Sequence, residues 1–348
     1  MARKTALVVA PGRGTYNKTE LGYLRRLHGA QASLIDSFDA ERRRHDQETI
    51  SALDGAERYS ASKLTRGDNA SGLIYACAFA DFLAIDQEAL DIVAITGNSM
   101  GWYIALACAG ALSPQDGFSV VNTMGTLMQE ALIGGQSLYP FVDDDWKEIP
   151  GKRAALLRLV DEIPGLHLSI NLGGMIVFGG DDAGLKEAER RLEPVGGRFP
   201  MRLTNHAAFH TQLQKPVSEL GKAALPLSLF AQSERPLIDG RGQIWFPGSS
   251  DLGTLWDYTF GHQITEPYDF TAAITNGVRE FAPDMIIILG PGTTLGGAVA
   301  QTLIAQSWRG LTSKAAFMKR QESDPLIISL GIKEQRAQVC QTTCGATS

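Results

Sequence analysis

The sequence predicts an α/β protein: a parallel sheet covered by helices on both faces, interrupted by a smaller inserted unit. Three observations carry that expectation. The short runs 6–10, 92–96 and 285–289 are apolar throughout, and each is followed by a glycine-bearing turn, as suits central strands buried on both faces. Between them, stretches such as 70–84 and 117–132 repeat apolar residues at three and four positions, the period of a helix with one buried face. The middle of the chain has a different order: strand (137–142), helix (152–162), two strands (166–172 and 175–178) hinged at Gly173-Gly174, helix (183–192) and strand (197–203). That order, β-α-β-β-α-β, is the ferredoxin-like pattern.

The boundaries follow. Residues 1–134 and 204–312 are expected to form the large α/β domain, 135–203 a ferredoxin-like small subdomain entered at the hinge Gly134-Gly135, and 313–348 a C-terminal extension. A chain of 348 residues with 44% hydrophobic content exceeds the size at which one core stops growing, which fits two structural units. The net charge of −6, with no basic stripe interleaved with aromatics, argues against nucleic acid as a partner. The run Glu41-Arg42-Arg43-Arg44-His45 reads as a solvated helix face, and Asp143-Asp144-Asp145 as a solvated loop.

No transmembrane span and no signal-peptide core is expected, and four cysteines are too few for a disulfide framework in a chain of this length. Cys77 and Cys108 fall in apolar helical patterns and read as buried thiols. Cys340 and Cys344 lie in a polar tail without a ligand-spaced partner set, so no metal is expected. The cytoplasm is the expected compartment.

The most informative residues are Gly97-Asn98-Ser99-Met100-Gly101. An apolar strand leads in and an Ala-rich helix leads out, the context that makes G-x-S-x-G a nucleophile elbow. The glycines allow strand and helix to approach closely, and the serine hydroxyl projects at a helix N-terminus, where free N–H groups favour developing negative charge. Such a serine needs a base, and histidine suits neutral pH. Of six histidines, His28 and His45 lie in charged helical stretches and His167 at a strand edge, which suits surface or packing roles. His206, His210 and His262 follow the inserted unit. His210 is favoured by its setting, Phe209-His210-Thr211-Gln212-Leu213-Gln214-Lys215-Pro216, with His206 as the runner-up.

The elbow, the inserted unit, the Phe-His-Thr-x-Leu-x-Lys-Pro segment and the turn Gly290-Pro291-Gly292-Thr293-Thr294-Leu295 together resemble the malonyl-CoA:acyl-carrier-protein transacylase family, which includes the acyltransferase domains of fatty-acid and polyketide synthases. The resemblance runs from residue 5 to residue 310 in the same order. It implies an α/β-hydrolase-like catalytic domain and ping-pong acyl transfer. Ser99 would take an acyl group from a coenzyme A thioester with His210 as base and acid, then pass it to the phosphopantetheine thiol of an acyl carrier protein. The partners implied are an acyl-CoA and an acyl carrier protein, without nucleic acid or membrane, and no resident cofactor is called for. The backbone N–H groups of Met100 and of Arg13, in the loop Pro11-Gly12-Arg13-Gly14-Thr15, would form the oxyanion hole. A backbone carbonyl from the segment Glu266-Pro267-Tyr268-Asp269-Phe270 would orient the imidazole, through the main-chain oxygen of Asp269 or its carboxylate.

The chain departs from the family at several positions. Asn98 precedes the serine where the family has His, and Trp102 stands where it has Glu. Counting without a gap from Ser99, the arginine that pairs with the malonyl carboxylate is replaced by Met124, which cannot make that charged bond and suggests an acyl group lacking a carboxylate. Arg13, in place of the loop Gln, is the other new charge and could meet a carboxylate from another wall. Asn171 takes the place of a pocket Asn. Two rivals stay open: an acyl-carrier-protein thioester hydrolase on the same scaffold, and a non-catalytic docking protein, whose mark would be loss of Ser99 or His210.

Overall fold

The computed structural model describes residues 3–341. Eleven strands, numbered in chain order among those residues, form two sheets. The larger contains β1 (Lys4–Ala10), β2 (Leu90–Gly97), β7 (Leu237–Ile238), β8 (Ile244–Trp245), β10 (Met285–Ile288) and β11 (Ile327–Ser329), in the order β11-β10-β1-β2-β7-β8. All its pairings are parallel except β7 with β8. β1 is central and buried from Ala6 to Ala10, which is why it reads as an unbroken apolar run rather than an alternating one.

The helix Gly67–Ala84 is buried on nearly every side and packs across the helix Pro114–Ala131. Phe118 there stacks on Phe38 at 4.4 Å between ring centroids. Parallel strands place all their C-terminal ends on one edge of a sheet, and loops there form the natural binding crevice. In this chain the loop after β1, the elbow after β2 and the turn after β10 share that edge.

The smaller sheet contains β3 (Gly135–Pro140), β4 (Leu166–Leu172), β5 (Met175–Gly180), β6 (Met201–Leu203) and β9 (Tyr268–Asp269). Its order is β6-β3-β5-β4-β9, antiparallel except for β4 with β9. With the helices Lys152–Glu162 and Asp182–Arg191, the first four strands make the expected β-α-β-β-α-β unit around a core of its own that includes Tyr139, Leu156, Phe178 and Leu185. An irregularity in β4 between Leu168 and Ile170 changes which side chains face which way. Leu168 packs in the small core, whereas Ile170 belongs to the large one.

Several expectations need correction. The strand expected over 197–203 is confined to Met201–Leu203, because Gly196 and Gly197 have positive φ and Pro200 has no N–H to give a ladder. Residues after 312 return to the large sheet as edge strand β11, and Arg336 beyond it reaches the Asp81 carboxylate inside the core. Of the two roles open to His28, surface or packing, it takes packing: it is 3% exposed, with Nε2 at 2.8 Å from Asp81. Glu41 and Arg42 do not lie on the expected solvated face. Arg42 is buried and donates to the Asp68 carbonyl and the Asn122 amide oxygen, joining three helices. Cys77 and Cys108 are buried thiols, and Cys344 lies outside the described residues.

Candidate active site

β2 runs to Gly97, and the chain turns through Asn98, Ser99 and Met100 into the helix Gly101–Cys108. Ser99 sits at the apex with a φ of 56°, a left-handed backbone that a residue with a side chain holds only where its surroundings impose it. Close approach imposes it here. A Cβ on Gly97 would lie 2.2 Å from the backbone of Gly101, and one on Gly101 would lie 2.4 Å from the carbonyl oxygen of Ala10. The glycines thus let helix and strand touch, and the turn has the shape of an elbow.

Ser99 Oγ lies 2.8 Å from His210 Nε2. The opposite ring nitrogen, Nδ1, lies 2.5 Å from the carbonyl oxygen of Gln263. A carbonyl only accepts, so Nδ1 carries the proton and Nε2 presents its lone pair to the serine hydroxyl. The backbone of His210 is held by the same turn, its N–H donating to the Ile264 carbonyl at 2.9 Å. Burial lowers the imidazole pKa to about 4, against the Gln263 carbonyl, which raises it, while His262 nearby lowers it further. The ring is therefore neutral at pH 7, able to accept a proton. Arg13 and Met100 line the same cavity as the serine, and neither backbone N–H has a partner among the described residues. They are free to donate to an oxyanion.

The orienting carbonyl belongs to Gln263, not to Asp269. Asp269 caps the helix Phe270–Phe281 by accepting from the Ala272 N–H at 2.7 Å, and its other oxygen accepts from Asn171 Nδ2 at 3.1 Å. Asn171 is likewise absent from the cavity. Ile170 and Leu172 line it, and alternation along β4 turns the residue between them to the other face, where Arg153 of the helix Lys152–Glu162 donates to it. Sequence reasoning missed Gln263 altogether. Its side-chain amide donates to the Ser99 carbonyl at 3.1 Å and accepts from the Tyr103 hydroxyl at 3.1 Å, so this one residue ties the base loop to the elbow and to the helix behind it. It sits just past a single π-helical turn, Tyr258–His262, and carries no motif.

The cavity over Ser99 has a volume of about 470 Å³ and lies between the two sheets, with walls of Met124, Met128, Leu138, Ile170, Val177 and Leu203 among others. Met124 is 5% exposed and packs its sulfur against Gly221 of the helix Lys215–Ala224. Thr294 and Leu295, after the turn that follows β10, close another side. Asn98 lines the cavity, whereas Trp102 is fully buried and donates to Thr259 at 3.0 Å. His206 also lines it, but its Nδ1 is bonded to Gln136 at 2.8 Å, and burial with the Arg13 charge lowers its pKa to about 3. His206 makes no bond to Ser99; His210 does.

Comparison with known proteins agrees with this fold. A malonyl CoA-acyl carrier protein transacylase of Bacillus subtilis is 25% identical over 243 residues, 69% of this chain and 74% of that protein. One from Buchnera aphidicola is 28% identical over 145 residues, 42% of this chain, and the match spans only 46% of that protein's length. The chain resembles the malonyl-CoA:acyl-carrier-protein transacylases. Solved structures agree at the level of fold: the transacylase of Xanthomonas oryzae superposes with a TM-score of 0.75 over 98% of this chain and 100% of that one at 19% identity. A malonyl-transacylase solved in complex with its type II polyketide acyl-carrier protein superposes with a TM-score of 0.72 over 96% of this chain and 98% of that one, at 17% identity. No family model matches the chain. The architecture shared with these transacylases is the α/β-hydrolase-like domain with an inserted ferredoxin-like unit.

Proposed function

We propose that the protein is an acyltransferase of the malonyl-CoA transacylase type, carrying an acyl group from a coenzyme A thioester to the phosphopantetheine thiol of an acyl carrier protein in fatty-acid or polyketide biosynthesis. The observation that carries the proposal is the 2.8 Å contact between Ser99 Oγ and His210 Nε2 in a cavity also lined by Arg13 and Met100, whose backbone N–H groups have no partner among the described residues. In the first half-reaction Ser99 Oγ attacks the thioester carbonyl carbon as its proton passes to His210 Nε2. The carbonyl oxygen becomes an oxyanion and accepts from the N–H groups of Arg13 and Met100. The C–S bond then breaks, and the coenzyme A sulfur takes the proton from Nε2. In the second half-reaction His210 accepts the proton of the carrier's thiol, the sulfur attacks the Ser99 ester, and Ser99 Oγ leaves with that proton. The thioester supplies the activation, so no resident cofactor enters.

The relatives' names and the carrier-protein complex of one structural neighbour support this assignment of partners. No helix among the described residues is long and apolar enough to cross a membrane, and a cytoplasmic site is part of the same proposal. Met124 removes the cation from the cavity's helical wall, so the acyl preference is set by other groups than in the family.

The test is intact-protein mass spectrometry after incubation with a panel of acyl-CoAs, followed by addition of a phosphopantetheinylated carrier protein. The expected result is an acyl adduct on Ser99 that moves to the carrier. Adduct release as free acid, with the carrier left unloaded, would assign hydrolysis instead, and no adduct with any acyl-CoA would remove the proposal.

A further inference from the structure

Arg13 is the feature of this cavity that the reaction leaves unexplained. Acyl transfer uses only its backbone N–H, yet its guanidinium is drawn into the same cavity. There its Nη2 donates to the Thr65 carbonyl at 2.7 Å and the Asn205 carbonyl at 2.9 Å, while Nη1 faces only the thioether of Met128, at 2.9 Å. Nε is buried and has no partner. Among the described residues no carboxylate is paired with this cation. The acid whose field it feels most, Asp68, is engaged by Arg66 through both oxygens, at 3.1 and 2.8 Å. Burial accordingly lowers the Arg13 pKa to about 10, against Asp68, which leaves the group charged at neutral pH. His206, the neighbouring base, is kept neutral. Two cations without a carboxylate partner thus line the cavity, the exposed Arg198 and the half-buried Arg13, and only Arg13 sets its Nη1 against Met128 and leaves a buried Nε without a partner, a position that an anion would complete.

Geometry gives the charge a direction. Met124 and Met128 are one turn apart on the helix Pro114–Ala131, about 6 Å along its axis at 1.5 Å per residue. A guanidinium in contact with the Met128 sulfur lies one turn from the wall where the sequence shows a lost cation. We infer that Arg13 reads a free carboxylate on the acyl group, so that the substrate class is a dicarboxylic half-thioester and the anion-binding group has moved from the helix to the loop after β1. The inference rests on the acyl-transfer reading for its substrate. It replaces the expectation, drawn from Met124 alone, of an acyl group without a carboxylate.

The experiment separates it from that reading by measuring binding without chemistry. Ser99→Ala protein, unable to form the ester, is titrated calorimetrically with malonyl-CoA and with acetoacetyl-CoA, which differ by a carboxylate against a methyl ketone of similar size. Malonyl-CoA is expected to bind about ten- to a hundredfold tighter, the worth of a charged hydrogen bond. Adding Arg13→Gln should abolish the difference by weakening malonyl-CoA alone, and Arg13→Lys should restore part of it. Equal affinities with Arg13 in place, or an equal loss for both ligands on Arg13→Gln, would overturn the inference. The same titration with thermal unfolding of each variant shows whether a loss is one of fold. Should selectivity be present in Ser99→Ala while no acyl-CoA labels the Ser99 protein, the transfer reading fails and the Arg13 assignment stands.

Discussion

The main-chain carbonyl of Gln263 accepts the Nδ1–H of His210 at 2.5 Å, and the Gln263 side chain donates back to the carbonyl of Ser99. One residue therefore fixes the tautomer of the base and the position of the nucleophile's backbone. A neutral carbonyl is enough for this, and among the described residues no carboxylate is bonded to the ring.

From the pair itself, Ser99→Ala should abolish the acyl adduct, and His210→Ala should slow its formation by about 10²–10⁴, as expected for loss of a general base. His206→Ala should leave the rate within a few-fold, because its ring is bonded to Gln136 and not to Ser99. Rapid-quench mass spectrometry of the adduct measures all three. An unchanged rate in His210→Ala with loss in His206→Ala would transfer the role to His206.

Much of this was legible in the residues. β4 occupies 166–172 as expected, because a period-2 run bounded by Gly165 and Gly173 leaves little freedom, and the elbow follows from strand, glycine and helix read together. What could not be read is what distant segments do to each other. The family resemblance implies pocket roles for Asn171 and Asp269, but the direction of Asn171 follows from an irregularity two residues earlier in β4, and Asp269 is committed to a helix cap. Gln263 acts mainly through its carbonyl, which no residue type announces. The charged stretch around His28 fits a surface or a packing role, and only Asp81 and Arg336, far along the chain, decide for packing.

The two low histidine pKa values set a direction for stability against pH. His210 at about 4 and His206 at about 3 lie below the usual 6.5 of an unfolded chain, so between those limits the unfolded state binds more protons. Stability should be fully present above pH 6.5 and fall as pH drops toward 4, by up to about 1.4 kcal/mol per pH unit for each proton involved. Chemical unfolding at pH 7, 6 and 5 measures it, and His206→Gln should flatten the slope. A stability that stays level from pH 7 to pH 4.5 would mean that neither ring is buried neutral.

The elbow glycines make a steric prediction. A methyl group at Gly101 would sit against the Ala10 carbonyl, and one at Gly97 would sit inside the Gly101 backbone, neither of which can rotate away. Gly101→Ala should therefore cost about 1–3 kcal/mol of stability and remove acylation, because the serine cannot keep its position when helix and strand separate. Gly297 offers the control, since its Cβ would meet nothing, so Gly297→Ala should leave both properties close to unchanged.

The position of the carboxylate-binding group can be tested by moving it back. Met124→Arg alone brings a second guanidinium into the same cavity as the first, and two like charges at a separation of about 6 Å and an effective dielectric of 20 would repel by about 3 kcal/mol. That variant should unfold at a lower temperature and gain little malonyl transfer. In Arg13→Gln/Met124→Arg the repulsion disappears while one cation remains, so kcat/KM for malonyl-CoA relative to acetoacetyl-CoA should recover about tenfold or more over Arg13→Gln alone. Recovery would show that the cavity needs one positive charge and tolerates either wall as its source. If Met124→Arg by itself raised the malonyl rate in the presence of Arg13 without loss of stability, the two groups would not share one anion, and Arg13 would be a bracket between Thr65 and Asn205 instead.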